Sequence, residues 1–216
     1  MKSYLIRPAS VLAMALGLAS CGGGGDDDSY TVAGSVEGLV YPGLVLTTNN
    51  TDLTVAPAAK PGETVNFVFP HRLEYGDEFA VTVKTQPPHQ FCSAPEQTGY
   101  FRTTYGTAGQ LAQINARFVC SVNSFAIGGK VSGLTKDNTG LVLANGSNTG
   151  TLLIVPAETN TTGAAFDYAM GAVPYGQTYG VYIVTQPKDR FCTVENPAGT
   201  MGDAPVTNIN VVCVPR

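Results

Sequence analysis

The sequence predicts an all-β chain of two tandem copies of one antiparallel β-sandwich, which follow a short helical segment at the N-terminus. The chain repeats itself with a period of roughly 95–100 residues. Within each copy, apolar and polar side chains alternate with a period of two, which is typical of strands that bury one face. The 25 glycines and 14 prolines provide the turns between short strands. No amphipathic helical pattern of useful length follows the N-terminal segment.

The internal repeat is visible in matched motifs that keep nearly constant register along the chain. A duplication explains so many matched positions better than chance does. The matched segments are Tyr30-x-Val32-x-Gly34-x-Val36-x-Gly38-Leu39 with Phe125-x-Ile127-x-Gly129-x-Val131-x-Gly133-Leu134, Gly43-Leu44-Val45-Leu46 with Gly140-Leu141-Val142-Leu143, Phe67-x-Phe69 with Phe166-x-Tyr168, Tyr75-Gly76-x-x-Phe79-x-Val81-x-Val83-x-Thr85-Gln86-Pro87 with Tyr175-Gly176-x-x-Tyr179-x-Val181-x-Ile183-x-Thr185-Gln186-Pro187, Phe91-Cys92 with Phe191-Cys192, and Val119-Cys120 with Val212-Cys213.

The alternation predicts about six or seven short strands in each copy. The apolar face of each sheet must be covered, and two antiparallel sheets that pack face to face cover each other's apolar face. We therefore expect a first sandwich over residues 30–122 and a second over residues 123–216. The joint near Ser121 to Ser124 is short, and the sequence leaves open whether the two copies move independently.

The pattern of residues at the N-terminus indicates an export signal. Lys2 and Arg7 are followed by an apolar run from Ala9 to Ala19, which is shorter than the ~20 residues that a membrane-spanning helix needs. Such a run after positive charges is typical of a secretory signal. The segment Leu18-Ala19-Ser20-Cys21 resembles the lipobox of bacterial lipoproteins. This resemblance implies cleavage of residues 1–20 and lipid attachment at Cys21.

Acylated Cys21 would make membrane lipid the first partner of the chain. A thiolate is a strong nucleophile, which suits lipid transfer, and several acyl chains together hold a protein on a membrane where one does not. Residues 21–29 then form a Gly- and Asp-rich tether. Gly22 replaces the Asp that retains similar lipoproteins at the inner membrane. The resemblance therefore implies the cell envelope, with an outer-membrane anchor and modules that face the periplasm or the surface.

The repeated motifs resemble the carboxypeptidase-regulatory-like and transthyretin-like (Ig-like) sandwich modules of bacterial surface proteins. The resemblance covers about the first 60 residues of each copy and implies a sandwich fold. The Gln-Pro-x-x-x-Phe-Cys segment and the final Val-Cys lie outside it. These two features look instead like uncharacterised proteobacterial lipoproteins that are built from such copies.

The five cysteines divide into Cys21 and two per copy. Their matched placement predicts the disulfides Cys92–Cys120 and Cys192–Cys213, which an oxidising compartment would permit. A zinc site is the alternative. Two cysteines per copy, without a histidine near the second pair, cannot supply four zinc ligands. No metal or cofactor is therefore predicted.

Charge and motifs exclude several functional classes. Only 13% of residues are charged and the net charge is −4, so no basic patch is available for nucleic acid. Neither His71 nor His89 lies in a metal motif, and His89 is interpreted as an exposed residue of a turn. The acidic residues Glu74, Asp77 and Glu78 fit a hairpin end, with a weak Ca²⁺ site as the alternative. No catalytic residue is predicted, so the chain is not expected to be an enzyme.

Copy two also carries a potential crosslinking set. Some similar surface domains join a lysine to an asparagine beside a buried acid, and Lys130, Asp167 and Asn210 lie in suitable segments. However, Lys130 and Asp167 alternate out of phase with the apolar residues of their strands. Both side chains are therefore expected on the outside, which argues against the crosslink.

The copies differ most between their cysteines, where copy one carries Tyr100, Phe101, Arg102 and Tyr105. Tyr, Phe and Arg are enriched at interfaces, so these four are candidate contacts for a protein or glycan ligand. The alternative is a strand whose aromatic side chains pack on the sandwich. Together these observations favour a non-enzymatic, lipid-anchored binding or spacer module. The other hypothesis is a periplasmic structural component that docks on another envelope protein.

Overall fold

The computed structural model describes residues 29–95, 104–110, 113–146 and 150–216, and every regular element in these ranges is a β-strand. The predicted all-β fold is confirmed. Strands β1–β9 form what we call module one and strands β10–β17 form module two. Each module buries a separate hydrophobic core between its sheets.

Module one contains two main sheets, with the strand orders β4-β1-β9-β7 and β3-β2-β6, and a small β5-β8 pair. Its strands are β1 (Tyr30–Glu37), β2 (Leu44–Thr48), β3 (Thr51–Val55), β4 (Val65–Leu73), β5 (Glu78–Ala80), β6 (Thr82–Thr85), β7 (Gln90–Ser93), β8 (Tyr105–Thr107) and β9 (Ile114–Val122).

Module two repeats this topology in sheets of order β13-β10-β17-β15 and β12-β11-β14-β16. One long strand, β14, takes the place of both β5 and β6. The strands are β10 (Ser124–Ser132), β11 (Leu141–Asn145), β12 (Thr151–Ile154), β13 (Phe166–Pro174), β14 (Thr178–Thr185), β15 (Arg190–Val194), β16 (Ala198–Thr200) and β17 (Val211–Pro215).

The alternation in the sequence places the core as predicted. In β1, Val32 and Val36 point inward, and they pack with Phe69 of β4 and Phe118 of β9. Full burial of each such side chain contributes roughly 1.5–3 kcal/mol. In module two the core includes Ile127, Val131, Leu143 and Tyr168, among others.

Within the described residues, the strand count differs from the prediction of six or seven per copy, with nine strands in module one and eight in module two. Short strands account for the difference. The strands β8 and β16 have three residues each, which is too few for alternation to identify them. In module one, the segment matched to β14 is divided into β5 and β6 at Val81, although the Val81 amide still donates to the Thr104 carbonyl (2.6 Å) in register with the β5-β8 pair.

The first and last long strands of each module pair in parallel, β1 with β9 and β10 with β17. Gly34 explains part of the repeated glycine motif, because a Cβ at this position would lie 1.9 Å from the Ala116 carbonyl oxygen of β9. At the end of β1, Gly38 has a φ of +72°, and a Cβ would lie 2.4 Å from the Cys120 oxygen. Only glycine fits both requirements without displacing the neighbouring strand.

Candidate functional site

Both predicted disulfides are confirmed. Cys92 of β7 bonds Cys120 of β9, and Cys192 of β15 bonds Cys213 of β17. In each module the two cysteines are directly opposite in an antiparallel ladder. Each bridge therefore fixes the edge strand of one sheet to the strand that also pairs with β1 or β10.

The repeated Gln-Pro segment has a structural role that the sequence did not reveal. The Gln86 side chain accepts a hydrogen bond from the Cys92 amide (2.8 Å) and donates one to the Cys92 carbonyl (2.9 Å). Gln186 makes the same two bonds to Cys192, at 2.8 and 3.0 Å. Each glutamine thus replaces a missing strand partner for the backbone of a disulfide cysteine. We call this pair of bonds the glutamine clasp.

The loop after the first strand is fastened differently in the two modules. In module one, buried Gln90 accepts from the amides of Val40 and Tyr41 and donates to the Gly38 carbonyl. In module two the fastening residue belongs to the loop itself. Asn138 accepts from the Thr135 amide and donates to the Lys188 carbonyl.

The modules meet at a cluster around His89. Its ring stacks on Tyr175 with a centroid separation of 3.7 Å and an interplanar angle of 5°. Tyr41 contacts both rings edge-on. His89 Nδ1 lies 2.7 Å from the Asp203 carboxylate. The His89 carbonyl accepts from the Asn123 amide (2.8 Å). We call these residues the joint.

The joint corrects the interpretation of His89 as an exposed residue of a turn. The residue does lie in a turn, with a φ of +61°, but its side chain is only 26% exposed. Sequence alone missed this because the contacts come from a distant turn of the other module. Asn123 extends the joint, since its carbonyl accepts from the Tyr175 amide (2.8 Å).

The candidate ligand contacts fall mostly outside the described residues. Tyr100, Phe101 and Arg102 lie there, as does Cys21, and their roles stay predictions. Tyr105 is described and lies in β8 with 44% exposure. Tyr105 lines an open cavity of about 530 Å³ that also borders Asn49, Glu78 and Thr82.

The acidic turn is held by its own hydrogen bond, because the Asp77 carboxylate accepts from the Glu74 amide (2.9 Å). In the described part of the chain, no group of three or more His, Cys, Asp or Glu residues is arranged to hold a metal ion.

Tyr168 of module two is the residue whose pKa departs most from its ordinary value among the described residues. Burial raises the pKa of Tyr168 to about 12, and its hydroxyl donates to the Ile209 carbonyl (2.8 Å).

The structure brings the three crosslinking candidates together on the outer surface. Lys130 Nζ lies 2.7 Å from the Asp167 carboxylate, and the Asn210 side chain accepts from the Lys130 amide. The side chains of Lys130 and Asp167 are 61% and 81% exposed, as their alternation predicted. Water reaches this ion pair, so the buried setting that a crosslink needs is not provided.

No known family model matches the chain, and a search of curated proteins found no match. Within the described residues, no helix is long and apolar enough to cross a membrane.

Proposed function

We propose that this chain is a lipid-anchored protein of the cell envelope. In this proposal Cys21 carries the lipid, and the two sandwich modules act as a rigid, non-enzymatic spacer and binding unit. The chain from Cys21 to Tyr30 has nine residue steps, so the tether would reach at most about 30 Å from the membrane.

The observation that carries the proposal is the pair of equivalent disulfides. Disulfides persist in exported proteins and are rare in the reducing cytosol. Both bridges therefore support export, which the N-terminal signal predicts independently. The lipobox resemblance then specifies the form of export, namely a chain that remains attached through Cys21.

The internal construction supports a scaffold rather than a catalyst. The two glutamine clasps and the two disulfides fix the edge strands. The strongly shifted hydroxyl of Tyr168 is engaged with a backbone carbonyl inside the core, so this group stabilises the fold. The joint adds contacts between the modules, which suits a spacer that must hold a fixed length.

Metabolic labelling with radioactive palmitate tests the anchor. We expect cells that express the full chain to incorporate label into it, and the substitution Cys21→Ser to abolish labelling. Cys192→Ala with Cys213→Ala serves as the control, because it removes two cysteines but leaves Cys21 in place. Equal labelling of wild type and Cys21→Ser would contradict the proposal, as would the lack of label in the wild type.

Protease treatment of intact cells, compared with cells whose outer membrane has been opened, tests the side on which the modules lie. Digestion on intact cells would support capture of an external protein or glycan. Protection until the membrane is opened would favour the alternative, a periplasmic component that docks on another envelope protein.

A further inference from the structure

The outer face of one sheet differs sharply between the modules. In module one, the face formed by β3, β2 and β6 is polar, and Lys84 and Asp52 form an ion pair on it. The equivalent face of module two, on β12, β11 and β14, carries no charged residue. The residues at matched positions are Thr54, Thr82 and Lys84 in module one and Leu153, Tyr182 and Val184 in module two.

These apolar side chains point to solvent. Leu153 is 57% exposed, Tyr182 is 54% exposed and Val184 is 52% exposed, while Val155, just beyond the end of β12, is 68% exposed. The alternate residues Ile154 and Val181 of the same strands are only 4% and 2% exposed. The strands therefore have an apolar side chain on both faces, although only one face has a core to cover it.

The exposed residues form one continuous patch. Across the ladder, Leu153 pairs with Val142, and Tyr182 pairs with Ala144 of the same central strand. Val184 lies beside them at the irregularity between β11 and β14. We call Val142, Leu153, Val155, Tyr182 and Val184 the apolar face. Continuous exposed apolar patches of this kind mark interaction surfaces.

The apolar face borders a sheet edge. Strand β12 is the outermost strand of its sheet, and the segment 151–155 contains neither a charge nor a proline. A charged residue on the edge strand is one way in which proteins protect such an edge. Module one has one, because Asp52 lies on its edge strand β3. Module two has Thr151 at the matched position.

We propose that the apolar face and the β12 edge bind a second copy of this chain. The surface is uncharged, so two copies related by a two-fold axis meet without repulsion, and the same patch serves both. Two β12 strands can pair antiparallel across the axis and satisfy each other's edge groups. A nucleic acid or an anionic lipid surface finds no opposite charge on this face.

The size of the surface sets the strength of the association. The exposed side chains of the apolar face supply roughly a few hundred Å², below the ~800 Å² per partner of a standard stable interface. The edge pairing of β12 adds to this area. We therefore expect a reversible dimer whose population depends on concentration.

The duplication provides the test variant. Leu153→Thr, Tyr182→Thr and Val184→Lys together place the residues of module one on module two, where the same sheet already tolerates them. We expect sedimentation velocity of the full-length chain in mild detergent to show a concentration-dependent dimer. The triple variant should dimerise roughly 100-fold more weakly, because it removes the apolar centre of the interface and adds a charge that repels its own copy.

Two further variants serve as controls. Val68→Thr and Phe91→Thr remove exposed apolar side chains of module one and should leave the dimer intact. Unfolding of each variant in urea reports whether the fold is retained. A wild-type chain that stays monomeric at all concentrations would overturn the proposal. A dimer that the triple variant leaves unchanged would also overturn it.

A photo-crosslinking residue in place of Val155 identifies the occupant in cells. Two differently tagged full-length chains should be recovered in one crosslinked product of twice the chain mass. Products that contain only a different protein, or only lipid, would contradict the second-copy assignment. The measurement can be repeated with Cys21→Ser, so failure of the lipid anchor and failure of the dimer are distinguishable.

Discussion

The two modules share their internal construction and differ on their surfaces. Both have a parallel pair of first and last strands, a disulfide and a glutamine clasp in the same place. The fastening of the loop after the first strand differs, with Gln90 in one module and Asn138 in the other. The outer face of the β3-β2-β6 sheet differs most, since it is polar in module one and apolar in module two.

The comparison separates the features that both modules need for stability from the features that can differ between them. A clasp pairs backbone groups of an edge strand that have no strand partner on that side. A disulfide limits the unfolded chain, so the loss of either costs stability directly. The loop after the first strand can be held by a residue of a neighbouring strand, such as Gln90, or by a residue of its own, such as Asn138. An outer face carries no such constraint unless it binds something. The apolar outer face of module two is therefore the feature that internal packing leaves unexplained.

The largest expected effect comes from removing a disulfide. Replacing Cys92 and Cys120 by Ala should destabilise module one by about 3 kcal/mol, because the bridge closes a long loop and limits the unfolded chain. The matched variant Cys192→Ala with Cys213→Ala should affect module two to a similar extent. Hydrogen exchange measured by mass spectrometry separates the two modules. A loss spread equally over both modules by either variant would show that they unfold as one unit.

A smaller effect is expected in the core, where Tyr168 of module two takes the position of Phe67. The two pair with the matched glycines Gly129 and Gly34, so the sequence match of Tyr168 to Phe69 is out by two residues. Tyr168→Phe should destabilise module two by about 1–3 kcal/mol, because the Ile209 carbonyl loses its buried donor. Phe67→Tyr in module one is the reverse change and should also destabilise, because it adds a hydroxyl to a buried site. Urea unfolding followed by hydrogen exchange measures both. Neutral behaviour of Tyr168→Phe would contradict a stabilising role for this hydrogen bond.

The same tyrosine makes module two sensitive to alkali. The folded state raises the pKa of Tyr168 to about 12 from an ordinary value of 10.0, so folding favours the neutral form. The neutral hydroxyl thereby contributes roughly 2–3 kcal/mol to the free energy of unfolding. This stabilisation is fully present below pH 10 and is lost as the pH rises toward 12. Short urea unfolding experiments from pH 9 to 12 should show a steeper decline for the wild type than for Tyr168→Phe.

The smallest expected effect concerns the joint. Tyr175→Ala should loosen the modules by removing the stacking partner of His89, a contact worth about 0.5–1.5 kcal/mol. Tyr75 occupies the matched turn of module one and is 75% exposed, so Tyr75→Ala is the control. NMR relaxation should report faster tumbling of both modules only in Tyr175→Ala. Unchanged tumbling would show that the joint does not hold the modules together.

The periodicity of the sequence was sufficient to predict the all-β fold and the pairing of the cysteines. Alternation identified the inward residues of β1 and β10, and matched cysteines identified their partners. The outward placement of Lys130 and Asp167 followed from the same alternation. These features repeat along the chain, so a single sequence reveals them.

Other features depend on contacts that the sequence pattern does not reveal. Gln86 recurs as Gln186, but the repeat does not show that this side chain bonds the backbone of a residue six positions away. The parallel pair of β1 and β9 joins segments about 80 residues apart. Two partners of His89, Tyr175 and Asp203, belong to the other module. The candidate residues near Tyr100 were chosen from composition, and the apolar face became visible only when two modules could be compared strand by strand.

The parallel pairing of β1 with β9 also determines how module one would respond to mechanical force. A pull from the tether enters at the start of β1, and a pull from module two enters at the end of β9. Because these neighbouring strands run in the same direction, the two pulls slide one strand along the other. All the hydrogen bonds between them then resist together rather than opening one at a time. The Cys92–Cys120 bridge keeps the 28 residue steps that it encloses from extending. Once the strands separate, the force would therefore draw out the chain between β1 and Cys92 but not the loop behind the bridge.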